Sequence, residues 1–310
     1  MLQHEKKIHE YEQTILKLKE QMNEEAAVEV EMLQKRLAEL KERVYSELSP
    51  WEKVTICRHP KRPHSIDYIE AITDEFFELS GDRYFKDDKA IIGGLGIIGG
   101  KKFMIIGQEK GFDTESRIYR NFGMTSPDGY RKALRLLELA EKFEVPVLCL
   151  IDTPGAYPGL DAEERGQGRA IADNLFKMSR IKTPIIAVII GEGCSGGALG
   201  IGIADTIGIL EHAYYSVISP EGCASILWKD STKNADAAKA LRMHAQDLID
   251  FKMVDIVIKE PQGGAHHDPA LTCQNLKEFV LTEVSKLENI PVDELIELRY
   301  QKFRKIGKEL

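Results

Sequence analysis

TPIIAVIIGEGCSGGA, residues 183–198, decides the fold. Its first half is a short unbroken apolar run of the kind that forms a strand buried on both faces in a parallel sheet. Its second half is a glycine turn leading into small residues that suit a helix. A second copy of the arrangement stands upstream, where VPVLCLI (145–151) runs into DTPGAYPG (152–159). Glycine-rich strand-to-helix turns aim backbone N–H groups, reinforced by the helix dipole, at any ligand oxygen placed there.

Working outward, further strands are expected at 206–210 and 214–218. A helix starting at Asp161, with Glu164 completing a capping box, is expected after Gly159, and the helix after Gly197 is expected to run on to Ala204. On the N-terminal side, runs at 89–98 and 101–106 meet at Gly99-Gly100, a pair that supplies positive φ for a hairpin. Ser126-Pro127 has the form of an N-cap followed by proline at the first helical position, with Ala133, Leu136, Leu137, Ala140 and Phe143 as the buried face. Late helices begin at Asp268-Pro269 and at Pro291. The whole is an α/β chain.

The first 48 residues differ. Ile8, Tyr11, Ile15, Leu18 and Met22 recur at spacings of three and four, as do Leu33, Leu37, Leu40, Val44 and Leu48. These read as two amphipathic helices, a hairpin or one bent helix, with Asn23 as the cap of the second. Ser49-Pro50 ends the segment, and the basic stretch 58–64 reads as an irregular connection. The expected organisation is a helical segment over 1–48 and one body over 49–310.

Composition removes several classes of function. A net charge of −8 argues against a general nucleic-acid or anionic-membrane role. No apolar run reaches the roughly eighteen residues of a membrane span, and the N-terminus lacks a secretory core, so a cytoplasmic place is expected. Five scattered cysteines without a C-x-x-C pair argue against disulfides and against a structural zinc site. His266-His267 looks like a metal pair only superficially, since adjacent residues rarely face one ion without further ligands nearby.

Three readings of the glycine turn remain. It lacks the Gly-Lys-Ser/Thr ending of a phosphate loop and the dinucleotide fingerprint. It matches Gly-x-Ser-x-Gly at Gly193, Ser195 and Gly197, so a serine hydrolase with Ser195, Asp255 and His266 is one reading. A turn needed only for close packing is the second. The third is an oxyanion hole of peptide N–H groups with no side-chain nucleophile.

Long strings bear on the choice. SPWEKV (49–54), RHPKRP (58–63), FFELSGDR (76–83), NFGMTSPDGYRKALRLLELAEKF (121–143), IDTPGAYPG (151–159), AEERGQG (162–168), IGEGCSGGALGIGIAD (190–205) and YYSVISPEGCASILWK (214–229) together resemble the alpha subunits of bacterial acetyl-CoA carboxylase carboxyltransferases. The resemblance runs from about residue 48 to GGAH (263–266), with small departures at Cys194 and at Leu160-Asp161. It implies a crotonase-like spiral of β-β-α turns and an alpha2-beta2 assembly in which the beta subunit carries a zinc ribbon. It also implies a biotin carboxyl carrier protein and a biotin carboxylase as partners, with carboxybiotin and acetyl-CoA as substrates and no metal or ATP on this chain. In that family the substrates supply their own base, so the protein's task is positioning and stabilisation of oxygen charge.

By the same resemblance, Gly196, Gly197 and Ala198 are the backbone donors, and Gly155, Tyr157 and Gly159 wall the carboxybiotin pocket. Arg117 and Arg120 are candidates for CoA phosphates. Glu192 is a candidate to orient the loop, and Tyr215, Ser219 and Glu221 to line the pocket floor or a subunit contact. For each of these the plain alternative is turn geometry or a solvated charge.

Overall fold

The computed structural model describes residues 2–20 and 24–308. After a short 3₁₀ turn, helices α1 (Lys6–Lys19) and α2 (Glu24–Ser46) lie against each other. Ile8 and Ile15 of the expected stripe are buried and Tyr11 and Leu18 half-buried, while α2 answers with Ala26, Val30 and Leu40. Lys41 pairs with Glu12 across the hairpin at 2.7 Å. Met22 and Asn23 lie outside the described residues.

A capping box, Ser49 with Glu52, starts α3 (Pro50–Cys57). The connection over 58–64 is irregular, as expected, and leads into α4 (Ser65–Ile72). Strands β1 (Glu75–Glu78), β2 (Ile91–Ile98) and β3 (Lys101–Gln108) form an antiparallel meander, the last two joined at Gly99 (φ 55°) and Gly100 (φ 79°). The chain then passes through α5 (Thr114–Tyr119) into α6 (Pro127–Lys142). Ser126 holds the N-cap position of α6, but its side chain makes no cap bond. Ala133, Leu136, Leu137 and Ala140 are fully buried, whereas Phe143 lies past the last turn and is exposed, so it is not part of the buried face.

Strands β4 (Val147–Thr153), β5 (Ile185–Cys194) and β6 (Thr206–Leu210) run parallel to β3 and are buried throughout. Two short helices, α7 (Leu160–Glu164) and α8 (Gln167–Met178), separate β4 from β5. The capping box expected at Asp161 does not form. Gly159 is the N-cap of α7, Asp161 instead accepts a hydrogen bond from Arg165 at 2.8 Å, and left-handed Gly166 breaks the helix before α8. The helix after the second glycine turn, α9 (Ser195–Leu199), stops five residues short of Ala204, because Gly200 and Gly202 allow the chain to turn away.

Strand β5 is long enough to serve two partners on one side. Ile186–Ile189 pair with β6, while Glu192–Cys194 pair with β7 (Tyr214–Ser216). Strand β7 is shorter than expected, since the Ser216 hydroxyl donates to Ile218 O and turns the chain towards Ser219. Helices α10 (Pro220–Trp228), α11 (Asn234–Leu241) and α12 (Ala245–Asp250) precede the edge strand β8 (Ile256–Ile258), and α13 (Pro269–Leu287) and α14 (Val292–Lys305) close the chain. The Asp268 carboxylate caps α13 at the Leu271 N–H. Arg299 of α14 is fully buried and donates to the carbonyls of Met178, Ile181 and Thr183 and to Asp205, which fixes the start of β5. Among the described residues, no helix is long and apolar enough to cross a membrane.

Candidate functional site

Strands β4 and β5 both end in the two glycine turns, and a charged knot ties those ends together. The β4–β5 register shifts between Ile151 and Thr153. Asp152, inside the shift, accepts the Glu192 N–H at 2.9 Å. A Cβ on Gly191 would stand 2.3 Å from that same carboxylate, so only glycine admits it there. Lys110, just past β3, reaches Asp152 at 2.7 Å and Glu192 at 2.6 Å. Arg58, from the end of α3, donates to Glu192 at 2.7 Å and to Glu221 at 2.5 Å, and Tyr214 of β7 also donates to Glu192. His64 completes the knot on Asp152 at 3.2 Å.

These charges set each other's protonation. Burial would raise Glu192, but the charges of Lys110 and Arg58 and the hydrogen bonds to it hold it at about 2. Burial also opposes ionisation of Asp152, and Lys110 and His64 override it, leaving this carboxyl well below its ordinary range. Burial pulls His64 down, yet the bond to Asp152 and its charge win, so His64 is raised. The knot is therefore ionised near neutral pH and holds its geometry by strong charge-assisted bonds.

Above the knot, the turn at Ser195 takes φ 57° and opens α9. The first N–H groups of a helix have no intrahelical partner, which leaves the amides of Ser195, Gly196 and Gly197 free of the helix. Ala198 is the fourth helical residue rather than the first, and α-helical bonding directs its N–H to the Cys194 carbonyl. The Gly197 carbonyl is pinned by Gln108 at 2.8 Å and by the Tyr130 hydroxyl at 3.3 Å. The other glycine turn comes into contact here: Gly155, at φ 146°, touches Gly197, and the Thr153 hydroxyl clasps Gly155 from behind.

Gly196 is half-buried at the mouth of a cavity of ≈ 500 Å³ lined mostly by apolar side chains, among them Leu199, Tyr215, Phe251 and Met253. A second, polar cavity of ≈ 270 Å³ lies over the knot, with Arg58, His64, Lys110 and Arg117 in its wall. Tyr157 is elsewhere, in the wall of a third cavity beside Tyr119 and Asn121, with its carbonyl held by Gln167. Gly159 accommodates the Tyr157 ring, which a Cβ there would meet at 2.5 Å. Arg120 is committed to the Lys89 carbonyl and to the Tyr119 ring face.

The hydrolase constellation does not assemble. Asp255 accepts the Ile207 N–H and pairs with Lys302, while His266 stacks on His59 at 3.7 Å. Cys194, buried beside Glu192, is raised to about 11 and stays a thiol. Sequence reasoning weighed Glu192 but missed Arg58, His64, Lys110 and Asp152. Their only trace was the basic stretch 58–64, and nothing in its spacing points to Asp152, 88 positions beyond His64, or to Glu192, 134 beyond Arg58.

The family model described as acetyl co-enzyme A carboxylase carboxyltransferase-like matches residues 1–307. The chain is 61% identical over 312 residues to the acetyl-coenzyme A carboxylase carboxyl transferase subunit alpha of Protochlamydia amoebophila, covering 100% of this chain and 99% of that one. It is 60% identical over 310 residues to the protein of the same name from Chlamydia trachomatis serovar L2, covering 99% and 96%. Among solved structures, transcarboxylase 12S superposes with a TM-score of 0.54 at 20% identity over 71% of this chain and 44% of that one. The beta subunit of geranyl-CoA carboxylase from P. aeruginosa gives 0.57 at 18% identity over 79% and 46%. A Pseudomonas malonate decarboxylase hetero-tetramer in complex with coenzyme A gives 0.60 at 13% identity over 79% and 98%. These likenesses are of the fold, which is the crotonase-like one expected from the sequence.

Proposed function

The chain belongs to the acetyl-CoA carboxylase carboxyltransferase alpha-subunit family, and from that premise we propose that it transfers the carboxyl group of carboxybiotin to acetyl-CoA, giving malonyl-CoA. An alpha subunit of a multi-subunit carboxylase works with a beta subunit. We further propose an alpha2-beta2 assembly in the cytoplasm, with the zinc ribbon on the beta chain. Biotin carboxylase and the carrier protein act upstream. Residues 1–48 serve as a helical appendage to a catalytic body at 49–310.

The observation that carries the reading is the pairing of amides left without intrahelical partners with a largely apolar cavity. The N–H groups of Gly196 and Gly197 stand at the N-terminus of α9, and Gly196 borders the ≈ 500 Å³ apolar cavity. A bicyclic urea with an apolar side arm fits such a place: its oxygen needs donors and its rings need apolar walls. Carboxybiotin, when bound, supplies both the carboxyl group and the base. This chain's own part is to hold negative charge on an oxygen with fixed peptide dipoles, worth about 2.7–4 kcal/mol per donor in comparable sites. Ala198, its amide engaged with Cys194, packs the helix and does not donate.

Gly155 abuts Gly197 and keeps the two turns in register. Tyr157 and Gly159 shape the outer edge of the same loop. Of the two arginines, Arg117 is the better candidate for CoA phosphates, since it lines the second cavity while Arg120 is held by the Lys89 carbonyl. Apolar walls at one cavity suit the rings of carboxybiotin, and Arg117 at the other suits a phosphorylated partner.

The test is reconstitution with a beta subunit and an assay for malonyl-CoA from carboxybiotin and acetyl-CoA. Activity that requires both chains supports the reading. Stoichiometric fluorophosphonate labelling of Ser195, together with esterase turnover by this chain alone, would replace it with a hydrolase.

A further inference from the structure

The motif GGAHH (263–267) presents two adjacent histidines, and the fold brings a third candidate ligand from the far end of the chain. Glu5 Oε1 lies 3.1 Å from His267 Nε2 and accepts the Tyr45 hydroxyl at 3.0 Å. One ligand atom each from Glu5, His266 and His267 falls within 4.8 Å of the other two. Among the described residues, neither buried ring nitrogen of His266 has a hydrogen-bond partner, although the ring stacks on His59 at 20°. A buried polar atom left unsatisfied costs about 1–3 kcal/mol, and in native proteins such an atom calls for an ion or a water.

The loop is built to hold this arrangement. Gly263, at φ 91°, has no Cβ where one would stand 2.7 Å from His267 Cδ2 and 2.8 Å from the Tyr45 hydroxyl. Gly264, at φ 113°, likewise clears Ile56, which a Cβ would meet at 2.6 Å. Behind them Glu260 accepts the Ala265 N–H at 2.7 Å and is locked by a two-pronged pair with Arg62 at 2.9 and 2.6 Å, both side chains buried. Ligands on a pinned loop are what a metal site requires.

We propose that Glu5, His266 and His267 form a binding site for a divalent transition ion, zinc foremost, which clips the N-terminal helical hairpin to the catalytic body. Two imidazoles and a carboxylate are a zinc ligand set that leaves one position for water. Bonds of about 2.0–2.2 Å place tetrahedral ligand atoms about 3.3 Å apart. Glu5 and His267 already stand at that spacing, and His266 closes the rest by a side-chain movement. Tyr45 orients the carboxylate from outside, as outer partners of metal ligands do. The site is separate from the glycine turns and stands whether or not the carboxyltransferase reading does.

The experiment uses the full chain alone, stripped with a chelator and titrated with Co²⁺ while the visible spectrum is followed. Zn²⁺ competition and thermal melting are measured in parallel. The proposal expects one equivalent of Co²⁺ with the strong visible bands of a four-coordinate site, displacement by Zn²⁺, and a higher melting temperature with Zn²⁺. His266→Ala, which removes a side chain with no hydrogen bond to lose, abolishes both signals, and Tyr45→Phe weakens binding on the order of 10–100-fold. Glu5→Gln, of nearly the same shape, is the second ligand variant should His266→Ala not fold. Absence of saturable binding at equimolar metal overturns the proposal. So does unchanged binding in both ligand variants, which would mark adventitious sites. A simple Glu5–His267 ion pair predicts no metal-dependent melting at all.

Discussion

Gly197 and Gly155 meet backbone to backbone: a Cβ on Gly197 would stand 2.5 Å from the Gly155 carbonyl carbon and 2.6 Å from the Ala156 nitrogen. No side chain lies between the two turns to give way. Gly197→Ala therefore drives them apart, at about 1–3 kcal/mol of overpacking. Gly196→Ala is the internal control, since its nearest new contact, Ile171, is at an ordinary 3.6 Å. Melting curves of the two variants should differ, with only Gly197→Ala shifted down. Turnover with the beta subunit should fall in both, because the added methyl in Gly196→Ala crowds the cavity mouth.

Lys110 neutralises two buried carboxylates at once, Asp152 and Glu192. Lys110→Met keeps the length and removes the charge, leaving Asp152 with only His64 and Glu192 with only Arg58 as charged partners. Breaking a buried pair in this way costs about 3–5 kcal/mol. Denaturant titration at pH 7 should register a loss of that size. Lowering the pH should shrink the deficit, because the two acids can then take up protons. A loss below 1 kcal/mol would mean that water replaces the ammonium and that the knot does not hold the turns.

His64 gives the knot a pH dependence of definite sign. Its pKa is raised in the fold by Asp152, with Glu109 adding to and Lys110 opposing the effect. A raised histidine contributes its full stabilisation below its unfolded value of about 6.5 and loses it as pH climbs through the folded value. The stability gap between wild type and His64→Asn should therefore be widest near pH 6 and narrow towards pH 9. Urea midpoints at the two pH values measure it, and a gap that widens with pH would show that the His64–Asp152 contact is not an ion pair.

The two glycine turns and the strands feeding them were readable from periodicity because each is local: a buried strand is an apolar run, and a turn is glycine and proline. The Ser126-Pro127 and Asp268-Pro269 helix starts were readable for the same reason. The short helix after Gly197 was read too long, since the turn at Gly200 to Gly202 leaves the same compositional trace as tolerated helical glycines, and the helix after Gly159 was read with a capping box at Asp161 that does not form. The charged knot joins positions 58, 64, 110, 152, 192 and 214 from five elements, and no spacing rule links a lysine after one strand to a glutamate at the end of another. Glu5 is hidden from His267 in the same way, by 262 positions of chain.

Which amide does the chemistry is decided by deleting N–H groups one at a time. Proline at Ala198 is the wrong tool, because that residue is the fourth of α9: its N–H bonds the Cys194 carbonyl, and a ring there would clash with the same carbonyl at a cost of about 3 kcal/mol or more. Proline at Ser195 fails for another reason, its φ of 57° being closed to the ring. Replacing the amide by an ester removes the hydrogen and little else, and Cys194 offers a ligation junction for introducing it into the turn. An ester at Gly196 or Gly197 deletes a donor without an intrahelical bond, so stability should hold while turnover drops about a hundredfold to a thousandfold, the 2.7–4 kcal/mol of one oxyanion donor. An ester at Ala198 should do the reverse, losing about 1 kcal/mol of stability with turnover nearly intact. If the Ala198 ester is the one that abolishes turnover in a folded, assembled enzyme, the helix has rotated its donors by one residue in the working complex. If none of the three affects turnover, the oxyanion is held by the partner chain.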